Sequence, residues 1–315
     1  MLIGIDTGFG HTKYAFRNKD GGFKLGKFPS VLALTDEVID EFNKNIFLFN
    51  GQSYYIGDIA LKQDLKRIKE VNTYKELEKY APLLIGKTLQ LENLSPQKIE
   101  VITLGLAPAH INQVENFRKK ISSFSLNKKD YSFKKTLIIP QGFGATIALK
   151  YFWKEQDKKE YDNYIVIDIG FNTIDTIIIY DREIDKSRLN ENNSFEKRGV
   201  VRIAEMMQNH IREHFNKEIT LKEALAVILC GEYKLRGQIH QLNKVVTDFK
   251  NSYTKDTMLF LEQKYGNEFD KLDAICFVGG GGYFINKEYA SSIQTFKNSE
   301  YFNAIGNLIT SEERK

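Results

Sequence analysis

The sequence predicts an α/β protein built from two similar domains, and three observations carry that prediction. A strand, a turn containing Asp-x-Gly and a returning strand open the chain at Leu2 to Phe16, and the same succession returns at Tyr164 to Tyr180. From Val101 to Phe152, strand-like and helix-like runs alternate, as they do in a layered α/β domain. At roughly 150 residues per domain, 315 residues suffice for two cores.

Taken in order, Leu2, Ile3 and Ile5 lead into Asp6-Thr7-Gly8-Phe9-Gly10, after which Thr12 to Phe16 is β-prone again. Ile46 to Phe49, then Asn50-Gly51, then Tyr54 to Ile56 predict a second hairpin, because Asn-Gly supplies the positive φ angles of a two-residue turn. Residues 58–92 read as helical. Over Tyr74 to Leu91 the residues Leu77, Tyr80, Ala81, Leu84, Ile85, Thr88 and Leu89 make one apolar face, broken by Pro82 and Gly86. Val101 to Leu106 is a buried-strand run, Ile111 to Ile121 a helix, Thr136 to Ile139 a strand ended by Pro140, and Gly144 to Phe152 a helix. The polar run Lys154 to Asn163 is the expected crossing between halves, which sets the domains at 1–160 and 161–315.

Beyond the crossing, Tyr164 to Gly170 and Thr176 to Tyr180 repeat the opening strand, turn and strand. The rest is mainly helical: Val200, Ile203, Ala204, Met207, Ile211 and Phe215 keep helical spacing, as do Ile239, Leu242, Val246, Phe249 and Tyr253. A strand at Ala274 to Val278 then runs into Gly279-Gly280-Gly281-Gly282.

Composition narrows the function. With 42% hydrophobic and 12% aromatic residues, the chain has the apolar content of a folded globular protein, and 22 glycines with 5 prolines are too few for a collagenous one. Forty-five basic against 41 acidic residues give +4, without the one-sided excess of a dedicated nucleic-acid binder, so no direct sequence-specific nucleic-acid binding is expected. Cys230 and Cys276 allow at most one disulfide and no paired CxxC metal knuckle. The opening MLIGIDTGFGHTKYAF reads as a strand rather than a secretory leader, and no run of 18 apolar residues suggests a membrane span. A cytoplasmic location is the expectation.

Three glycine turns can carry chemistry. Glycines between two strands let backbone N–H groups approach a polyphosphate, and such concave N–H arrangements favour anions. Asp6-Thr7-Gly8-Phe9-Gly10-His11 fits that use, with Lys13 able to bring a positive charge back to the same phosphates and Asp6 able to hold Mg²⁺ through its waters. A tight hairpin with a structural glycine and a solvated Asp is the alternative. Asp168-Ile169-Gly170-Phe171-Asn172-Thr173-Ile174-Asp175 offers a second carboxylate, Asp168, for the same water-mediated role, and a second close-approach glycine. In Gly279-Gly280-Gly281-Gly282-Tyr283 the glycines allow a ribose or adenine to lie on backbone; a flexible turn leading to a helix is the other reading.

In this order and spacing the three turns resemble the phosphate 1, phosphate 2 and adenosine motifs of the actin superfamily, which includes sugar kinases and heat-shock chaperone ATPase domains. Within it the chain looks most like bacterial and archaeal actin-like proteins of the ParM/StbA plasmid-segregation type: Asp6-x-Gly8-x-Gly10-x-x-Lys13 has the actin spacing, and Asp168-x-Gly170-x-Asn172-Thr173-x-Asp175 is close to DxGxTTxD, with Asn172 in place of a small or hydroxylated residue. The resemblance implies a duplicated actin-like, ribonuclease H-like two-domain fold with nucleotide in the interdomain cleft, and a last helix packing back on the first domain. It implies that Ile139-Pro140-Gln141-Gly142 is the connecting motif, with Gln141 orienting the attacking water alongside Asp6 and Asp168. From the residues alone, Gln141 reads instead as a cap on the following helix. By the same resemblance Glu232 falls near the ribose or base, and Arg202 can approach the adenine side or sit on a solvated helix face.

What the resemblance implies about function is an ATPase using ATP (or GTP) and Mg²⁺, polymerising with itself into nucleotide-dependent filaments, with a DNA-binding adaptor protein as partner in plasmid segregation and no membrane involved. A small-molecule kinase of the same superfamily and a non-hydrolysing scaffold are the alternatives. Two features stand outside this reading. His210 and His214 sit at i and i+4, but in HIREH rather than HExxH, and read as an exposed helix face. The basic stretch Arg118-Lys119-Lys120, Lys128-Lys129 and Lys134-Lys135 reads either as a solvated face or as a contact for DNA, an adaptor or an acidic neighbour.

Overall fold

The apolar run at the start of the chain becomes β1 (Leu2–Thr7), and His11–Arg17 returns antiparallel to it as β2. The structure, a computed structural model, describes residues 1–37, 45–71, 73–158, 160–185 and 193–315. The described chain divides into two compact units, one of residues 1–159 with 301–315 and one of residues 160–300. Lys159, within the crossing expected at Lys154 to Asn163, lies outside the described residues.

In the first unit β1 and β2 are joined by β3 (Phe23–Pro29), β8 (Val101–Leu106) and β11 (Lys135–Pro140) in a sheet of order β11-β8-β1-β2-β3. The β1, β8 and β11 neighbours are parallel, and β8 is buried at every position, which explains its unbroken apolar sequence. A second sheet holds β4 (Val31–Thr35), β5 (Phe47–Phe49), β6 (Gln52–Ile56) and β7 (Ile68–Glu70) in the order β5-β6-β4-β7. The hairpin expected at Asn50-Gly51 is present, with both residues at positive φ. A small hairpin joins β9 (Ser123–Leu126) to β10 (Lys129–Ser132).

Residues 58–92 are not one helix. Residues 57–67 form two short 3₁₀ turns, β7 pairs with β4, and α1 (Tyr74–Leu91) begins only after Thr73, whose hydroxyl accepts from the amide of Glu76 while Glu76 reaches back to the amide of Thr73. A strand edge at β4 offers residues 68–70 backbone partners that local helical preference does not outweigh. Within α1, Pro82 and Gly86 are both buried and the helix runs through them; a Cβ on Gly86 would lie 2.1 Å from Leu126 Cδ2, so glycine is what lets β9 approach. The helix expected at Ile111 to Ile121 starts as a 3₁₀ turn and becomes α2 (Val114–Ser122). α3 (Phe143–Glu155) follows β11, and α7 (Phe302–Glu313) closes the unit against α3, β1 and β8.

Backbone contact makes that last packing possible. A Cβ on Gly4 would sit 2.1 Å from the Ala304 carbonyl oxygen, and one on Gly306 would sit 1.8 Å from that of Gly144. Arg17 of β2 forms a two-pronged ion pair with Glu312 near the end of α7, Nε to Oε1 at 2.8 Å and Nη2 to Oε2 at 3.0 Å.

The second unit repeats the plan. β12 (Tyr164–Ile169) pairs antiparallel with β13 (Thr173–Tyr180) and parallel with β18 (Ala274–Val278), as β1 does with β2 and β8. β14 (Glu183–Ile184), β15 (Ser194–Glu196) and β19 (Ile293–Thr295) complete the sheet. Around it stand α4 (Val201–Phe215), α5 (Leu221–Cys230) and α6 (Asn243–Tyr265). Ile239 is not on the helix its spacing suggests. It lies on β17 (Gln238–Gln241), paired with β16 (Glu232–Leu235) through a turn in which Arg236 and Gly237 both have positive φ. Both cysteines are free. Among the described residues no helix is long and apolar enough to cross a membrane.

Candidate functional site

In the first unit the sequence folds a carboxylate, a cation and an amide onto one point. Asp6 lies at the end of β1, in register with Lys13 on β2, and is 2% exposed. Its Oδ2 is 3.1 Å from Lys13 Nζ, and its Oδ1 accepts from Gln141 Nε2 at 3.0 Å. Burying a carboxylate is costly unless donors satisfy it, and here one of the two donors is charged.

The reading of Gln141 as a helix cap is overturned. Gly142 is the residue at the N-terminus of α3, at φ 83°, and no side chain within that helix caps it. Instead Asn303 of α7 accepts from the amides of Gly142 at 3.0 Å and Ala145 at 3.1 Å, which leaves the Gln141 side chain to Asp6. Gly105 makes room for it, since a Cβ there would be 3.0 Å from Gln141 Cγ.

The turn Gly8-Phe9-Gly10 is held by a residue that the sequence did not single out. Ser30, fully buried between β3 and β4, donates from its hydroxyl to the Gly8 carbonyl at 2.7 Å and from its amide to that of Gly10 at 3.1 Å. With that proton committed, the Thr12 hydroxyl donates to Ser30 Oγ at 2.9 Å. The Gly8 and Gly10 carbonyls are thus taken, while no hydrogen bond among the described residues uses the amides of Phe9 and Gly10 as donors. Thr7 Oγ1, buried beside them, has no partner among the described residues. A polar contact between residues 22 positions apart has no local sequence signal, which is why Ser30 escapes a motif search.

In the second unit Asp168 and Asp175 face each other across β12 and β13, at 9% and 8% exposure. Residues 198–201 clamp the turn: Val200 and Val201 donate to the carbonyls of Gly170 and Phe171, and Arg198 and Gly199 both donate to that of Asn172. Again the amides of Phe171 and Asn172 donate to nothing among the described residues. Thr173 Oγ1 donates to Asp175 Oδ2 at 3.2 Å, and the Phe171 ring is exposed.

The third turn is fixed rather than flexible. Gly279, at φ 77°, donates its amide to the Ser299 carbonyl and accepts from the Ser299 hydroxyl at 3.1 Å, and a 3₁₀ turn follows over Gly280–Phe284. A Cβ on Gly279 would lie 2.2 Å from Asp168 Oδ1, so the backbone of this turn touches the carboxylate of the second one. Gly280 is open, Gly281 and Gly282 are buried, and the hydroxyl of exposed Tyr283 is bound to the carboxylate of Glu300.

Other candidates stand elsewhere. Glu232 is exposed at the start of β16 and accepts from Gln241 Nε2 at 2.8 Å within its own hairpin. Arg202 lies in the first turn of α4. His210 and His214 stack with ring centroids 4.0 Å apart; burial and the neighbouring imidazole hold His210 below the ordinary histidine range. No group of three or more metal-ligating side chains occurs among the described residues. In the basic stretch Arg118 pairs with Glu115 and Lys135 with the Arg314 carbonyl.

Residues 4–144 match the family model of the N-terminal domain of actin-like proteins, and residues 166–290 match that of the C-terminal domain of the archaeal MreB-like actin homologue. Solved structures agree over the full length. An archaeal actin homologue in complex with ADP is 18% identical, covers 99% of this chain and 100% of its own, and superposes with a TM-score of 0.76. A ParM from a 15-stranded filament of Clostridium botulinum is 20% identical, with 99% and 98% covered and a TM-score of 0.74. ParM of Bacillus thuringiensis with ATP is 15% identical, with 99% and 98% covered and a TM-score of 0.70. None of the curated proteins matches the chain. The two matched domain models, one on each compact unit, show that the chain belongs to the actin-like proteins, and the solved structures share its fold.

Proposed function

We propose that this chain is an ATPase that binds Mg-ATP through the turns at residues 6–13, 168–175 and 279–283 and assembles with itself into nucleotide-dependent filaments that serve plasmid DNA segregation through an adaptor. The observation that carries the reading is the construction of the first two turns. In each, other parts of the chain bond to carbonyls of the turn, and amides of the turn donate to nothing among the described residues beside a buried aspartate, Asp6 in one and Asp168 in the other. Amides not used within the fold, with an unpartnered Thr7 hydroxyl, fit phosphate oxygens, and the aspartates fit a hydrated magnesium ion.

When bound, Mg-ATP supplies a transferable γ-phosphoryl group with its charge already neutralised. The residues then divide the work. Lys13, held by Asp6, is placed to exchange that partner for a phosphate oxygen. Gln141 is neutral and a weak base, so its part is to orient a water through the same amide that now reaches Asp6. Asp168 would hold water of the metal shell, and Gly279, pressed against it, supplies backbone for the nucleoside. The matched archaeal homologue and the two ParM proteins, with their bound ADP, filament and ATP, support this reading.

The experiment is titration of a fluorescent ATP analogue with magnesium into the wild-type chain and into Lys13→Ala and Asp168→Ala, with phosphate release measured in parallel. Wild type binds and releases phosphate, Lys13→Ala binds at least about tenfold more weakly, and Asp168→Ala loses hydrolysis. A folded wild-type chain that binds no ATP would refute the proposal, and transfer of phosphate to a small alcohol instead of water would favour a kinase.

A further inference from the structure

We propose that Asn303 and Asn307, one helical turn apart on α7, are positioning residues that set Gln141 against Asp6. Each holds the backbone next to one partner of that pair. Asn303 Oδ1 accepts from the amide of Gly142, the residue after Gln141, and from that of Ala145. Asn307 Nδ2 donates to the carbonyl of Ile5, the residue before Asp6, at 2.8 Å. The two asparagines are 7% and 1% exposed, so water cannot replace them at little cost.

The packing around them leaves little play. A Cβ on Gly144 would lie 2.7 Å from the Asn303 carbonyl oxygen and 2.9 Å from Asn307 Oδ1, and Gly306 between the asparagines touches the Gly144 backbone. At Gly144 and Gly306 the start of α3 and the backbone of α7 are thereby in direct contact. Gly142 has no side chain of its own to cap α3, so the cap comes from Asn303 across the sequence, and it fixes the peptide that carries Gln141. A side-chain amide meant to orient water must be held to a fraction of an ångström, and the geometry of α7 does this from behind the site.

The inference rests on the reading of Gln141 as the water-orienting residue, and the chemistry of the two bonds separates it from a merely structural role. Asn303 is used as an acceptor, so Asn303→Asp keeps the function and Asn303→Ala loses it. Asn307 is used as a donor, so Asn307→Asp loses it. The test uses the full chain, with the ¹⁵N resonance of the Gln141 side-chain amide read without nucleotide, and kcat and Kd measured with Mg-ATP. In Asn303→Ala the resonance shifts and kcat falls about tenfold, with Kd within about twofold of wild type, and Asn303→Asp restores both. Should the alanine variant fail to fold, Asn303→Ser, whose hydroxyl is an acceptor of shorter reach, gives the same shift in smaller measure. A folded Asn303→Ala or Asn303→Ser with an unmoved resonance, or a shifted resonance with unchanged kcat, overturns the proposal. A resonance that shifts in a chain whose wild type releases no phosphate supports the positioning role and contradicts the ATPase reading instead.

Discussion

Gln141 and Asp6, 135 positions apart, meet through a single hydrogen bond of 3.0 Å from Nε2 to Oδ1 at the edge of the first glycine turn. The bond joins the end of β11 to the end of β1, two strands that both flank β8, so the sheet order itself brings the amide to the carboxylate. Gln141→Ala removes the amide but no element of the phosphate turn. We expect ATP binding within about twofold of wild type and turnover slowed by roughly ten- to a hundredfold. Unchanged single-turnover phosphate release in the variant would take Gln141 out of the mechanism.

Gly279→Ala tests how closely the third turn presses on Asp168. Positive φ and a Cβ 2.2 Å from Asp168 Oδ1 make two separate costs. Together they should lower stability by on the order of 3 kcal/mol in urea unfolding, and nucleotide affinity should drop with it because Asp168 must move. A variant as stable as wild type would mean that the turn is looser than the structure has it.

Gly306→Ala addresses α7. The added carbon would meet the Gly144 carbonyl oxygen at 1.8 Å, which only separation of α3 from α7 can relieve. We expect a loss of about 3 kcal/mol, seen by denaturant titration and by faster amide exchange at Gly142 and Ala145. Loss of stability without that exchange would place the strain elsewhere.

Lys87 gives a pH-dependent prediction. It is 8% exposed on α1, with Nζ 3.2 Å from Gln90 Oε1, and burial pushes its ammonium below the ordinary value of 10.5, partly offset by Asp58. A lysine whose pKa is lowered by folding binds fewer protons folded than unfolded between its two pKa values, so stability rises with pH as 10.5 is approached and the penalty is in force below that window. Lys87→Met should therefore be more stable than wild type at neutral pH, by roughly 1 kcal/mol, and the gap should narrow at alkaline pH. A gap that widens with pH would show that the ammonium is better satisfied than its burial implies.

These cases mark what local sequence can and cannot show. The strand, turn and strand at Leu2 to Phe16 and at Tyr164 to Tyr180 were legible because the hydrophobic period and the glycines lie side by side, and β8 because its whole length is buried. Gln141 was singled out by resemblance; its bond to Asp6 depends on a sheet order that no local window contains. Ser30, Asn303 and Asn307 are ordinary polar residues that matter through contacts 22 to 302 positions away. Residues 68–70, within the stretch 58–92 that reads as helical, and Ile239 lie on strands for a related reason: their partners, β4 and β16, are strands that helical spacing ignores. Arg236-Gly237 also lacks the Asn or Asp that usually announces such a turn.

The central claim is a switch between ATP-bound assembly and release after hydrolysis. The most direct measurement is right-angle light scattering of the purified chain with Mg-ATP, Mg-ADP, a non-hydrolysable analogue or no nucleotide, with phosphate followed in the same cuvette. Scattering should rise with ATP and with the analogue, and should decay only in the ATP sample, as phosphate appears. ATP turned over with no rise in scattering across a wide range of protein concentration would contradict the account.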